Sequence, residues 1–323
     1  MCIGPRGGRL VSGSLRSALE HGLEHQLLDP GAMRERLPLF ELEPEWWGVA
    51  ESNAGFLFPE RCIEAHLTIA ERHGATVRFD QPVRRISQDT SGVLVEAAME
   101  TLRADRVVVT AGAWNARLVP QLAPLLHVDR VPLFWFEPKS HHADLAGLPV
   151  NIIDGEVSRG CYGFPYLPEQ GLKVASLGTG NACDPDRVDR ITSREDEAPV
   201  RDFLRRYLPC GDGELRATKA CMYTISPDEH FIIGMDGRVV YASACSGHGF
   251  KFSSVMGEIL ADLATTAGTA HDIGFISRGR FPRCRPPPRS RREVRRTRGH
   301  SRRGTCWRGS DRSDRTLHDA PRG

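Results

Sequence analysis

A chain of 323 residues, 40% of them hydrophobic, is long enough to bury a substantial core and to divide into more than one domain. It has no run of roughly 18–20 apolar residues to cross a bilayer, and Met1-Cys2-Ile3-Gly4-Pro5-Arg6 lacks a signal peptide's apolar segment, so a cytoplasmic location without a membrane partner is expected. The net charge of +2 conceals an asymmetry: residues 283–323 carry fourteen Arg against four acids, a surplus of ten, which leaves −8 on the rest of the chain.

Leu15, Leu19 and Leu23 predict a short amphipathic helix over 14–25, weakened by Gly22 and ended by Asp29-Pro30-Gly31. A better helix is predicted over 62–73, with Ile63, Leu67, Ile69 and Ala70 apolar, then a Gly74 terminus and a strand at 76–79. Strands follow at 83–86 and 93–97. The run from Asp105 to Trp114, with three valines before Ala111-Gly112-Ala113-Trp114, reads as a strand buried on both faces of a parallel sheet and ending in a Gly turn. A second such strand, 238–245, leads through Ser246-Gly247-His248-Gly249 into a helix over 250–265. Between them, alternating segments at 131–137, 161–166, 172–177 and 219–225 predict an antiparallel sheet. The fold class is therefore mixed α/β and α+β, a parallel-sheet domain interrupted by an antiparallel one. Pro286-Pro287-Pro288 and the near absence of aliphatic residues leave 283–323 unable to offset its ordering entropy, so that tail is expected to be disordered. Its single Trp307 and lack of a recognisable motif argue against a nucleic-acid partner. Nine scattered cysteines without a C-x-x-C pair indicate reduced thiols, with neither a disulfide framework nor a metal site.

Several residues carry chemistry. Gly247 and Gly249 allow close backbone approach, and the helix start behind them favours an electron-rich or anionic group. Lys251 opposes that dipole unless it has an anionic partner; the competing reading is a Gly-rich turn with an exposed lysine. Alternation puts Lys219, Cys221 and Tyr223 on one face, where a lysine favours the nucleophilic form of a neighbouring thiol, although a buried inert cysteine fits as well. Lys173, between Leu172 and Val174, points away from the core to water or a polar cavity, and Tyr162 and Phe164 share a face as core or pocket lining.

Together, Cys221-Met222-Tyr223-Thr224, Asp228-Glu229-His230-Phe231-Ile232-Ile233 and Ser246-Gly247-His248-Gly249-Phe250-Lys251-Phe252-Ser253 resemble the monomeric sarcosine oxidase and N-methyltryptophan oxidase family, FAD-dependent amine oxidases of the D-amino-acid oxidase superfamily. Tyr162-Gly163-Phe164-Pro165, Gly171-Leu172-Lys173, Ala111-Gly112-Ala113-Trp114 and Asn53-Ala54-Gly55-Phe56-Leu57-Phe58 fit the same pattern, over roughly residues 8–278. The resemblance implies FAD attached covalently at Cys221, with Ala111, Gly112, Gly247, His248, Gly249, Phe250 and Lys251 also cofactor-binding and Val83 at the adenine. It implies that Lys251 binds the substrate carboxylate, Lys173 assists the reaction with oxygen, and Tyr162 and Tyr223 line the amine pocket. The implied reaction takes a secondary amine and oxygen to an aldehyde, a primary amino acid and hydrogen peroxide.

The implied domains are a substrate segment 1–49, a partial FAD-binding, Rossmann-like domain 50–125, an antiparallel-sheet substrate domain 126–225, a return to the FAD-binding domain at 226–280, and the tail 281–323. A G-x-G-x-x-G unit is not found, since Gly4-Pro5-Arg6-Gly7-Gly8 is expected to follow no strand, and the match starts about a hundred residues into the family's length. Leu177 stands where the family usually has a histidine. The expected activity is therefore an impaired oxidase; the alternatives are a related imino-acid or amine oxidase, or a non-catalytic remnant.

Overall fold

The computed structural model describes residues 1–154, 160–177 and 180–282; the tail expected to be disordered, 283–323, lies outside the described residues. The first half of the chain forms β1 (Cys2–Pro5), α1 (Arg9–Glu20), β2 (Gln26–Leu28), α2 (Pro30–Arg36), β3 (Trp46–Ala50), α3 (Pro59–Arg72), β4 (Val83–Asp89), β5 (Gly92–Ala97), β6 (Thr101–Ala104), β7 (Val107–Val109), α4 (Asn115–Leu118) and β8 (His127–Glu137). The second forms α5 (His142–Ala146), β9 (Asn151–Ile153), β10 (Cys161–Gly163), β11 (Leu172–Ser176), β12 (Asn181–Ala182), α6 (Arg194–Tyr207), β13 (Glu214–Ile225), β14 (Ile232–Asp236), β15 (Val239–Ser243) and α7 (Ser253–Thr266).

The two longest strands, β8 and β13, pair antiparallel along their whole length and anchor a nine-stranded sheet in the order β12-β8-β11-β10-β9-β1-β3-β2, with β13 on β8. One face of this sheet is apolar. Phe134, Phe136, Val174, Leu172, Cys161, Ile153 and Ile3 are buried there against Val200, Phe203, Leu204 and Tyr207 of α6 and Met33 of α2. α6 starts in a capping box in which Ser193 and Asp196 satisfy each other's backbone N–H groups, and Arg130 of β8 donates two hydrogen bonds to the same Asp196, at 2.9 and 2.8 Å.

A second sheet runs β14-β15-β7, with β15 parallel to β7 and antiparallel to β14. α7 covers it by packing Ile259, Leu260 and Leu263 on Val240, Ala242, Phe231 and Ile233. Asn115, fully buried, ties this sheet to the turn after β7: its side chain accepts from Ala111 N–H at 2.9 Å and donates to Ala242 C=O at 2.8 Å. A third sheet, β4-β5-β6, is a meander. No helix among the described residues is long and apolar enough to cross a membrane.

The mixed class read from the sequence is the class the structure has, but several elements differ from expectation. The helix expected over 14–25 is α1, shifted toward the N-terminus; Gly22, at φ +61°, stands beyond its end, so Val11 and Ala18 are buried while Leu19 is exposed. No strand forms at 76–79, because that segment pairs with no strand among the described residues, and α3 buries none of its side chains, leaving Ile63 49% and Ile69 52% exposed. β15 is buried throughout, whereas β7 is an edge strand with Val108 41% exposed, so it is not buried on both faces. The strand expected over 161–166 stops at Gly163, ahead of Pro165. Gly7-Gly8 does follow a strand, β1, which belongs to the large sheet. The helix expected from 250 opens as a 3-10 turn over Phe250–Phe252 before α7.

Replacing Asn115 with Ala strips both buried backbone groups of their side-chain partner, and the expected cost is about 1–3 kcal/mol in urea unfolding. A loss below about 0.5 kcal/mol would show that the two sheet elements are held by other means.

Candidate active site

The polar face of the large sheet gathers four of the expected residues. In the β8–β13 register Tyr223 stands opposite Asp129, Cys221 opposite Val131 and Lys219 opposite Leu133, which puts Lys219, Cys221 and Tyr223 on one face as their period predicts. Across β8, Lys173 stands opposite Trp135, while its neighbours Leu172 and Val174 are buried in the core on the other face. Tyr162, opposite Ala175, brings its hydroxyl to 3.4 Å from that of Tyr223.

Burial dominates the electrostatics of this group. It pushes both phenols above their ordinary value, most strongly at Tyr162, and it lowers the Lys173 ammonium, against the opposing fields of Cys221 and Glu60. Cys221 is half-buried, its sulfur 3.7 Å from the Met222 carbonyl. Lys173 has no carboxylate within ion-pair distance among the described residues; its Nζ lies 5.2 Å from the Trp135 ring centroid and 4.8 Å from that of Phe164.

The loop 245–249 closes one side. Its Ser246 N–H donates to Thr224 C=O at the end of β13, at 2.8 Å. Gly247, at φ +79°, presses so closely on Tyr223 that a Cβ there would stand 3.0 Å from the ring. The His248 ring stacks on Phe231 at 5.0 Å. The preceding turn is locked by Arg280, which donates to both oxygens of Asp228 at 2.7 and 2.8 Å and holds that carboxyl far below its usual range. Lys251 is in the 3-10 turn with Phe250, and its Nζ donates to His248 C=O at 3.0 Å; burial lowers its pKa.

Cys221, Tyr223, Tyr162 and Lys173 thus meet on one face with Gly247 at its edge, and the turn Gly112–Trp114, which follows Ala111, packs beside β13. Lys251 is folded back on its own loop, and Val83 lies in the β4-β5-β6 meander, exposed and outside the cluster. An open groove follows α3, lined by Ile63, Leu67, Val77 and Phe79, and is not this site. Sequence reasoning missed Asp129 and Trp135. Alternation over the whole of β8 places both on the site face; Asp129 lies ahead of the strand expected from Val131, and Trp135, inside that strand, was not singled out. A half-buried thiol, two neutral phenols, a desolvated cation without a counter-charge and a glycine edge together suit a planar electron-rich ring.

Residues 8–263 match the model of the DAO family, FAD dependent oxidoreductase. The chain is 39% identical over 290 residues to monomeric sarcosine oxidase of Bacillus sp. (strain NS-129), covering 87% of this chain and 74% of that protein. It is 33% identical to N-methyl-L-tryptophan oxidase of Citrobacter koseri over 287 residues, covering 86% and 75%. In fold it is similar to the open form of NikD, an unusual amino acid oxidase essential for nikkomycin biosynthesis, at TM-score 0.73 and 21% identity over 85% of this chain and 75% of that one. It is likewise similar to glycine oxidase from Geobacillus kaustophilus, at TM-score 0.70 and 20% identity over 87% and 75%.

Because burial raises both phenols, Tyr162 and Tyr223 should stay un-ionised in the folded chain past the ordinary phenol value of about 10, while they ionise there in the unfolded chain. The unfolded state then binds fewer protons, so stability is unaffected at lower pH and falls as pH rises above about 10. Tyrosinate absorbance during an alkaline titration reads this directly. Tyr166 and Tyr241 are raised by burial as well, so the expected sign of the pair is a set of late-ionising phenols that shrinks by two in a Tyr162→Phe, Tyr223→Phe double variant; a double variant that loses only ordinarily titrating phenols would contradict the buried pair.

Proposed function

The chain belongs to the FAD-dependent oxidoreductase family, and on that premise we propose that it oxidises a secondary amine of the sarcosine or N-methyl amino acid class, consuming oxygen and giving an aldehyde, a primary amino acid and hydrogen peroxide. The observation that carries this reading is the sheet face shared by Cys221, Tyr223, Tyr162 and Lys173, in a chain similar to proteins named sarcosine oxidase and N-methyl-L-tryptophan oxidase.

FAD, when bound, supplies the acceptor for the hydride equivalent leaving the substrate carbon. Every other part of the work falls to the chain. Cys221 is the thiol that anchors the cofactor covalently, half-buried on a rigid central strand that fixes its direction. Gly247, Gly249 and Phe250, leading into α7, turn backbone N–H groups toward negative charge, His248, whose own N–H donates to Cys245 C=O, binds the cofactor beside them, and Ala111 and Gly112 contact the cofactor from the end of β7. Val83 stands for the adenine end. Tyr162 and Tyr223, held neutral by burial, line the amine pocket and offer hydrogen bonds without adding charge. Lys251 leaves the His248 carbonyl to bind the substrate carboxylate, and the Lys173 ammonium favours negative charge developing on oxygen.

In domain terms, we assign 1–49 and 126–225 to the substrate side and 50–125 with 226–280 to the cofactor side; β1, β2 and β3 share the large sheet with β8 to β13, and β7 shares one with β14 and β15. A cytoplasmic location belongs to the same proposal and is supported by seven free thiols among the described residues. Residues 1–323 match about three quarters of the sarcosine oxidase relative.

Peroxide and aldehyde release from sarcosine and larger N-methyl amino acids, measured with added FAD, tests the reading. Lys173→Met should slow the oxygen-dependent step roughly 100- to 1,000-fold while sparing flavin reduction, and Lys251→Met should raise KM. Peroxide from cyclic imino acids or primary amines, with none from N-methyl substrates, would overturn the substrate class.

A further inference from the structure

Lys173 is a desolvated cation on the site face that, among the described residues, makes no ion pair and no side-chain hydrogen bond, yet it is not loose. Two aromatic rings hold it. Trp135 stands directly opposite it on β8 with the ring centroid 5.2 Å from Nζ. Phe164 follows β10, donates its backbone N–H to the Lys173 carbonyl at 3.1 Å, and brings its ring to 4.8 Å from Nζ. Phe164 is itself gripped edge-on by Tyr162, at 6.0 Å and 79°, and by Phe56, at 5.8 Å and 86°.

We propose that Trp135 and Phe164 are positioning residues that clamp the Lys173 ammonium between two ring faces in place of a carboxylate; the proposal rests on the oxidase reading and deepens it. The choice of clamp has an electrostatic consequence. A carboxylate at this position would fix the four-carbon stem equally well but would cancel the cation's field at short range. A ring face attracts the ammonium through its quadrupole and carries no net charge, so the full positive charge stays available to an anion forming above the sheet. The rings also act against the burial that disfavours the charged form and lowers the Lys173 pKa.

The chain contains only four lysines, Lys139, Lys173, Lys219 and Lys251, so a lysine labelled with carbon-13 at Cε gives four signals, and the Lys173→Met variant identifies the one in question. Titration of that signal in the flavin-free chain is expected to move down by roughly half a pH unit or more in Trp135→Leu and in Phe164→Leu, with Trp135→Phe close to the parent and Lys139 unmoved. If Trp135→Leu does not fold, Phe164→Leu decides. A midpoint unchanged in the leucine variants, or lowered as far in Trp135→Phe as in Trp135→Leu, would overturn the clamp and leave packing alone. With FAD added, the oxygen step should slow in Trp135→Leu and recover in Trp135→Phe; an altered titration with an unaltered oxygen step would overturn the positioning role. The titration needs neither flavin nor substrate, so its outcome is separate from that of the oxidase reading, which fails if the parent chain makes no peroxide.

Discussion

The ladder between β8 and β13 is the constraint on which the rest depends. Eleven residue pairs fix its register, and a bulge at Leu215/Ala217 leaves Arg216 free to turn out to Glu137. Because side chains alternate strictly along a strand, this register sends Phe134 and Phe136 into the core and Asp129, Val131, Leu133 and Trp135 to the other face, together with Lys219, Cys221 and Tyr223. A slip of one residue would bury the lysine and cysteine and expose Phe134. The apolar face and α6 thus hold the site residues in place from behind, by burial and by the Arg130–Asp196 pair.

The second sheet reaches the site through a few polar contacts. The Ser246 N–H to Thr224 C=O bond joins the glycine loop to β13, and the Arg280–Asp228 pair stiffens the turn in between. Cations are divided by type. Arginine makes the ion pairs, as Arg130 with Asp196 and Arg201 with Asp212, where its fork matches a carboxylate. Three of the four lysines, Lys173, Lys219 and Lys251, stand instead on the site face or its bounding loop, none of them paired with an acid among the described residues. A compact charge on a flexible stem is the residue type that desolvation can tune.

Much of this was legible in the sequence where the signal is local and periodic. β5, β11, β13 and β15 follow from two-residue alternation or continuous apolar runs, and the face shared by Lys219, Cys221 and Tyr223 follows from the same arithmetic. Expectation failed where the outcome depends on partners. Residues 76–79 have strand-like composition but nothing to pair with among the described residues, so pattern alone overstated them, whereas the helix expected over 62–73 forms as α3 with its apolar side uncovered. Leu15, Leu19 and Leu23 suggested a helix face that Gly22 cuts off. Trp135 reads as one more core aromatic until the β8–β11 register sets it against Lys173, and Asn115 looks like an ordinary turn residue until its two buried hydrogen bonds are seen.

The visible absorption of acid-precipitated protein, after incubation with FAD, tests most directly whether this sheet face is a flavin floor anchored at Cys221. Flavin colour that stays with the precipitate in the parent chain and washes out in Cys221→Ser is the result this account predicts. A colourless precipitate from folded parent chain would contradict it, and the cluster of thiol, phenols and clamped lysine would then need another explanation.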